Sequence, residues 1–301
     1  MTLPTHVELV EVGPRDGLQN ESSTITTETK LELIQRLANS GLERIEMTSV
    51  VSPRWVPQMA DHEAVMSSFA GKTSARRYSV LVPNRQGLES AMAQGVREVA
   101  VFTAASESFT QRNINASIEQ SLRRFEPVMR MADEHGINVR GYVSCALGCP
   151  YEGQMDATRV ADVSRALWQM GCREISLGDT IGIGTPLAVK RMLEAVLRDV
   201  PLEATAVHFH DTYGQALANI YASLQEGVTV IDSAVAGLGG CPYATGASGN
   251  VATEDVVYLL NGLGIECGVD LANLVETGNW IAHHLGRDNS AKAARALTSA
   301  A

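Results

Sequence analysis

Two histidines stand two positions apart in "VHFHDTYG", residues 207–214. In a β-strand, residues i and i+2 face the same side, so His208 and His210 are expected to stand together. A lone strand histidine is usually a satisfied core residue. Two on one face need hydrogen bonds within a small volume. The pairing therefore points to metal ligation, for which imidazole is the commonest side chain, with burial as the plain alternative. Other polar residues recur at or near the ends of apolar runs: Glu11, Arg15 and Asp16; Glu46, Thr48 and Ser49; Arg140 and Ser144; Ser176 and Asp179; Asp211; then Cys241 and Asn250. Each has a structural alternative. Asp16 could cap a first helix, and Asn250 could cap the helix expected over "VATEDVVYLL". A cysteine such as Cys241 is often a small buried hydrophobe, but "GLGGCPYATGASGN" is too rich in glycine to be held by its own packing and reads as a mobile loop. "GIGTPLAVK" (182–190) reads as Thr185 at a helix N-cap and Pro186 at the first helical position, rather than as a phosphate cradle.

The elements that must position these groups alternate in period. Strand-like runs lie at 7–12, 42–49, 77–83, 98–105, 138–145, 174–180, 204–211 and 230–237. Helical patterns fall between them, for example 117–135 and 159–170. Gly41, Gly95, Gly136, Gly171 and Gly227 precede strands and read as helix stops. Eight strands alternating with helices imply parallel βαβ units. Eight units in about 250 residues close best as an α/β (β/α)8 TIM barrel. An open doubly wound sheet is the runner-up, but "GPRDGLQNE" stands where its Gly-x-Gly-x-x-Gly would be. The expected organisation is a catalytic barrel over 1–265 and a C-terminal helical extension over 266–301, with helices at 271–286 and 290–299. In such barrels the catalytic groups come from the C-terminal ends of the strands, where most of the polar residues above fall.

Composition narrows the function. The chain has 301 residues, 45% hydrophobic and 19% charged, with a formal net charge of −10. No basic run offsets that balance, so no nucleic acid partner is expected. No apolar run reaches the roughly 20 residues of a membrane span. The five cysteines form no Cys-x-x-Cys pair, which suits reduced thiols. The start "MTLPTHVELVEVG" leaves no room for a targeting peptide, and the expected location is the cytoplasm of a prokaryote.

"EVGPRDGLQNE" (11–21), "SVVSPRWVPQM" (49–59), "RGYVSCALGCPYEG" (140–153), "SLGDTIGIGTP" (176–186), "VHFHDTYGQALAN" (207–219) and "GLGGCPYATGASGNVATED" (237–255) stand in this order. Together they resemble 3-hydroxy-3-methylglutaryl-CoA lyase, one of a wider group of metal-dependent lyases and acyl-CoA synthases. The likeness runs from about residue 7 to about residue 288. It implies a divalent cation, Mg²⁺ or Mn²⁺, held by Asp16, His208, His210 and Asn250. A carboxylate, an amide oxygen and two imidazoles suit a six-coordinate hard-to-borderline ion. The absence of cysteine ligands argues against structural zinc.

The implied reaction cleaves 3-hydroxy-3-methylglutaryl-CoA to acetoacetate and acetyl-CoA. It needs a deprotonated C3 hydroxyl, which a metal favours, and a positive donor at the enolate oxygen, for which Arg15 fits. Cys241 resembles the family's catalytic cysteine on a mobile loop, acting as acid or base. Glu46 and Asp179 match carboxylates that orient the site and shuttle protons, and Gln19 is expected near bound substrate. The resemblance also implies an acyl-CoA partner and a homo-oligomer, a dimer. Met47 and Val50 depart from the common pattern, so the pocket for the C3 substituent is expected to differ in shape. A longer 3-alkyl chain on the same substrate is one alternative. A condensing synthase of the same group is another, though such enzymes usually read Asn-Asp after His-x-His. A catalytically silent barrel would have been signalled by loss of Arg15, Asp16, His208 or Cys241, and all four are present.

Overall fold

The computed structural model describes residues 3–69, 77–239 and 249–299. Eight parallel strands close into a barrel: β1 (Glu8–Glu11), β2 (Arg44–Ser49), β3 (Arg77–Leu81), β4 (Glu98–Ala104), β5 (Asn138–Ser144), β8 (Glu174–Asp179), β9 (Thr205–Phe209) and β10 (Val230–Ser233). The remaining two, β6 (Gly148–Cys149) and β7 (Gly153–Gln154), form a short antiparallel hairpin beyond β5. The ring runs β1-β10-β9-β8-β5-β4-β3-β2, and β1 pairs with β2 to close it. All eight expected strands are present, and no edge remains for an open doubly wound sheet.

The helices follow from their caps and apolar stripes. Helix α1 (Thr27–Asn39) starts at Thr26, whose side chain accepts the Thr29 N–H. Ser117 and Gln120 form a reciprocal capping box at the head of α5 (Ile118–Glu134). Helix α7 (Pro186–Val196) has Pro186 in its first turn and Thr185 as its N-cap residue, as the sequence suggests. The five glycines read as helix stops all adopt positive φ. Most buried apolar side chains join one cluster that includes Leu33, Ile45, Met47, Val99, Leu167 and Leu193. No described helix is long and apolar enough to cross a membrane.

Beyond α9 (Thr253–Gly262), two more helices follow, α10 (Leu271–His284) and α11 (Lys292–Ser299). They are tied to the barrel's C-terminal end. Lys292 Nζ donates to Asp211 Oδ2 at 3.0 Å, and Asp255 accepts the Lys292 and Ala293 N–H groups at the head of α11. Asp211 also accepts the Ala216 N–H at 3.0 Å, at the head of α8 (Ala216–Gln225). Asp211 thus anchors the heads of both α8 and α11.

The barrel interior departs from the usual layers of branched aliphatic side chains. At its N-terminal end Arg44 is 4% exposed and paired with Glu8, Glu98 and Glu174. One layer higher, Arg140 reaches Glu174, Asp232 and the Tyr142 hydroxyl. The sequence places Arg140 among the polar residues near strand ends; it lies below them because it stands near the start of β5 rather than at its end. Ser176, likewise, donates to Asp232 Oδ2 inside the barrel at 2.9 Å. Buried charges are tolerated when paired and hydrogen-bonded.

Candidate active site

The turn after β1 carries two of the expected residues. Gly13–Gly17 forms one π-helical turn, in which the N–H groups of Arg15, Asp16 and Gly17 all reach the Val12 carbonyl, at 3.2, 2.8 and 3.2 Å. Such wide turns are frequent at functional sites. The turn lies close against Leu238: a Cβ on Gly17 would sit 2.6 Å from Leu238 Cβ. Asp16 lies within this turn and does not cap α1, whose N-cap is Thr26. Gln19 is half-buried just after the same turn.

Arg15 bridges two carboxylates. Its Nε and Nη2 each lie 2.7 Å from Glu46 Oε2, and its Nη1 is 2.8 Å from Asp16 Oδ1. Two of the five guanidinium N–H groups are left for other acceptors. Glu46 Oε2 also accepts the Tyr142 hydroxyl at 3.3 Å. Burial raises the Glu46 carboxyl, although Arg15 pulls the other way. Met47, next along β2, is buried in the main hydrophobic cluster. The register of β2 against β3 is irregular between Glu46 and Thr48, with Met47 at the break.

The two histidines meet Asp16. One ligand atom from each of Asp16, His208 and His210 lies within 4.8 Å of the others. His208 Nε2 is 4.0 Å from Asp16 Oδ2, and the imidazole centroids are 5.4 Å apart. Asn250 joins them because residues 249–252 return along the barrel rim, with isolated bridges His210–Asn250 and Ala234–Ala252. Its Nδ2 donates to Asp16 Oδ2 at 2.8 Å and to the Leu238 carbonyl at 3.2 Å. The N-cap of α9 is Ala252, so Asn250 is no helix cap.

The electrostatics of this corner suit a cation. Burial would raise Asp16, but Arg15, His208, His210 and the Asn250 hydrogen bond hold it down at about 2. Burial and then repulsion from His208 push His210 down to about 4, so its ring is neutral with a lone pair to offer. Burial would also lower His208, but the bond to Asp232 and the charges of Asp16 and Asp232 raise it. Three buried polar atoms here lack a hydrogen-bond partner among the described residues: His210 Nδ1, Glu46 Oε1 and Asp179 Oδ1. Unpaired polar atoms are costly unless something satisfies them. One carboxylate, two imidazoles and these orphaned atoms fit a divalent cation and an oxygen-rich ligand.

Asp179 closes the end of β8. Its Oδ2 accepts the Gly184 N–H at 2.8 Å. Burial pushes it up to about 6, against the pull of nearby backbone N–H groups. Glu11 serves another purpose. It is fully buried and accepts from Gly13 N, Val235 N and Thr253 Oγ1 at 2.8, 2.9 and 2.7 Å. It thereby ties the β1 turn to the segment after β10. Glu254 holds the next residue of that segment, Ala236, whose φ is +56°. Ser290 donates to the Ala236 carbonyl at 2.7 Å, and Asn289 donates to Glu254 at 3.2 Å. A left-handed alanine costs about 1–2 kcal/mol and persists where its surroundings over-determine it. Cys241 lies outside the described residues.

Sequence reading missed Asp232, Tyr142, Glu174 and Arg44. A charged residue inside an apolar strand run was the available signal for Asp232 in "VIDSAVAG" and for Arg44 in "LERIEMTS". Nothing in the sequence paired them.

Residues 6–281 match the HMGL-like family model. The chain is 60% identical over 293 residues to the mitochondrial hydroxymethylglutaryl-CoA lyase of Gallus gallus, covering 97% of this chain and 98% of that one. The crystal structure of hydroxymethylglutaryl-CoA lyase from Pseudomonas aeruginosa superposes with a TM-score of 0.97 at 58% identity, covering 100% of both chains. An HMG-CoA lyase from Acinetobacter baumannii, solved with coenzyme A and 3-methylmalate, superposes with a TM-score of 0.92 at 33% identity, covering 98% of this chain and 96% of that one.

Proposed function

The chain belongs to the HMGL-like family, and from that premise we infer that it is a divalent-metal-dependent carbon–carbon lyase. It cleaves 3-hydroxy-3-methylglutaryl-CoA to acetoacetate and acetyl-CoA. The observation that carries this reading is the meeting of Asp16, His208 and His210 at one corner of the barrel mouth, beside Arg15, in a chain 60% identical to a lyase of that name.

The reaction breaks the C2–C3 bond. The C3 hydroxyl loses its proton and becomes the ketone of acetoacetate; the bonding pair stays on C2 as the enolate of acetyl-CoA, which is then protonated. The chemistry a divalent cation would supply there is polarisation of bound oxygens, which would ease loss of the hydroxyl proton. Asp16, His208, His210 and Asn250 would hold it, as Mg²⁺ or Mn²⁺. Asp16 is ionised and His210 neutral near pH 7, the forms that ligation needs. Arg15 supports the enolate oxygen with the N–H groups that Glu46 and Asp16 leave over, an interaction strongest as charge develops. Glu46 and Asp179 are raised by burial and each has an unpartnered oxygen among the described residues, which suits them to orient the substrate and exchange protons. Gln19 contacts the substrate, and Cys241 acts as acid or base at the enolate carbon. Localisation in a prokaryotic cytoplasm and assembly as a homodimer complete the reading.

The test is direct. Purified protein with Mg²⁺ should convert 3-hydroxy-3-methylglutaryl-CoA to acetoacetate and acetyl-CoA, followed by NMR. Preferred turnover of an analogue with a longer 3-alkyl chain would move the substrate, and net condensation of acetyl-CoA with a keto acid would replace the reaction.

A further inference from the structure

One buried carboxylate beside the candidate metal corner belongs to none of the roles above. Asp232 sits on β10, in register with His208 on β9, and is 1% exposed. Its Oδ2 lies 3.2 Å from His208 Nδ1 and accepts Ser176 Oγ at 2.9 Å and Arg140 Nη1 at 3.0 Å. Its Oδ1 takes Arg140 Nη2 at 2.6 Å. Arg140 is itself fixed by Glu174 through Nε and by the Tyr142 hydroxyl.

These contacts restrict the histidine. A carboxylate gripped by a bidentate guanidinium is an acceptor only. The His208 Nδ1 beside it must therefore carry the proton, which leaves the Nε2 lone pair on the opposite side of the ring. That side faces Asp16 Oδ2, 4.0 Å away. His210 has no such support, since its Nδ1 is buried without a partner among the described residues. The two imidazoles thus differ: one is oriented from behind and the other is not.

We propose that Asp232, held by Arg140 and Ser176, is a positioning residue that fixes the ring plane and tautomer of His208 so that Nε2 faces the cation. This rests on the metal-site reading above. It also accounts for the unusual charge in the barrel interior: Arg140 and Glu174 brace Asp232 from below, where aliphatic layers would leave it free to turn.

The test compares wild type, Asp232→Asn and His208→Ala by Mn²⁺ titration, with thermal melting as the check on folding. An amide at position 232 offers an N–H where Nδ1–H needs an acceptor, so the His208 ring should turn or change tautomer. Mn²⁺ affinity of Asp232→Asn should fall roughly 10–100-fold, the usual cost of losing such support. A second measurement needs no variant. In ¹⁵N–¹H spectra of the wild-type protein at about pH 9, where neutral imidazole is observed, His208 should carry its proton on Nδ1. A wild-type proton on Nε2, or unchanged Mn²⁺ affinity in a folded Asp232→Asn protein whose His208→Ala counterpart binds weakly, would overturn the role of Asp232 alone. Unchanged affinity in His208→Ala would overturn the metal-site reading and this inference with it.

Discussion

Arg15, in the turn after β1, and Glu46, within β2, stand 31 positions apart and meet through two guanidinium nitrogens on one carboxylate oxygen, Glu46 Oε2, each at 2.7 Å. The second carboxylate oxygen is left without a partner among the described residues. The contact sets the plane of the guanidinium and keeps its remaining N–H groups at the barrel mouth.

Arg15→Lys should therefore fail to rescue catalysis. Lysine keeps the charge but loses the planar fork. We expect kcat to fall by about 10²-fold or more, as for loss of a donor to a developing oxyanion, with a small change in KM. Steady-state kinetics check this; a change confined to KM would make Arg15 a substrate-binding residue only.

Removing the metal should stop turnover. Exhaustive chelation is expected to abolish activity and Mg²⁺ or Mn²⁺ to restore it. Asp16→Asn should raise the Mg²⁺ concentration needed for half-maximal rate while circular dichroism stays native. Activity that survives chelation would remove the cation from the reaction.

Cys241→Ser should leave Mn²⁺ affinity close to wild type, because Cys241 is not among the proposed ligands, and slow turnover by orders of magnitude. Bound acyl-CoA should protect Cys241 from alkylation more than it protects Cys267. Wild-type turnover in Cys241→Ser would pass the final proton transfer to Glu46 or Asp179.

Glu254 makes stability depend on pH. Burial pushes it up to about 8 in the folded protein, with the charge of Glu11 adding to the shift, against an ordinary carboxyl in the unfolded chain. A raised folded pKa favours the protonated native state. The contribution is full below about pH 4.5 and is lost as pH rises, at about 1.4 kcal/mol per unit, levelling off above about 8. Glu254→Gln keeps an oxygen for the Ala236 and Asn289 donors and cannot ionise. Its stability should decline less between pH 5 and 8 than that of wild type in denaturant titrations. Glu11, raised to about 7 by burial, acts with the same sign and remains, so the slope is reduced rather than abolished. Parallel curves would mean that Glu254 is ionised in the native protein.

The sequence by itself determined the eight-strand order and the facing of the two histidines. Alternating periods, the glycines that stop helices and Pro186 at a helix start are local signals, and local chemistry fixes them. His208 and His210 share a face because a strand repeats every two residues. Arg15 and Asp16 are neighbours in one short turn. Only barrel closure decided what these groups meet. It sets Arg15 against Glu46, Asp16 against both imidazoles, and Asp232 behind His208. It sets Arg140 below the mouth, ties Glu11 to the segment after β10, and ties Asp211 to two helices. Those outcomes depend on which strand lies beside which and at what register. No spacing along one chain encodes that directly, because each pairing joins segments whose separation is set by the closed ring.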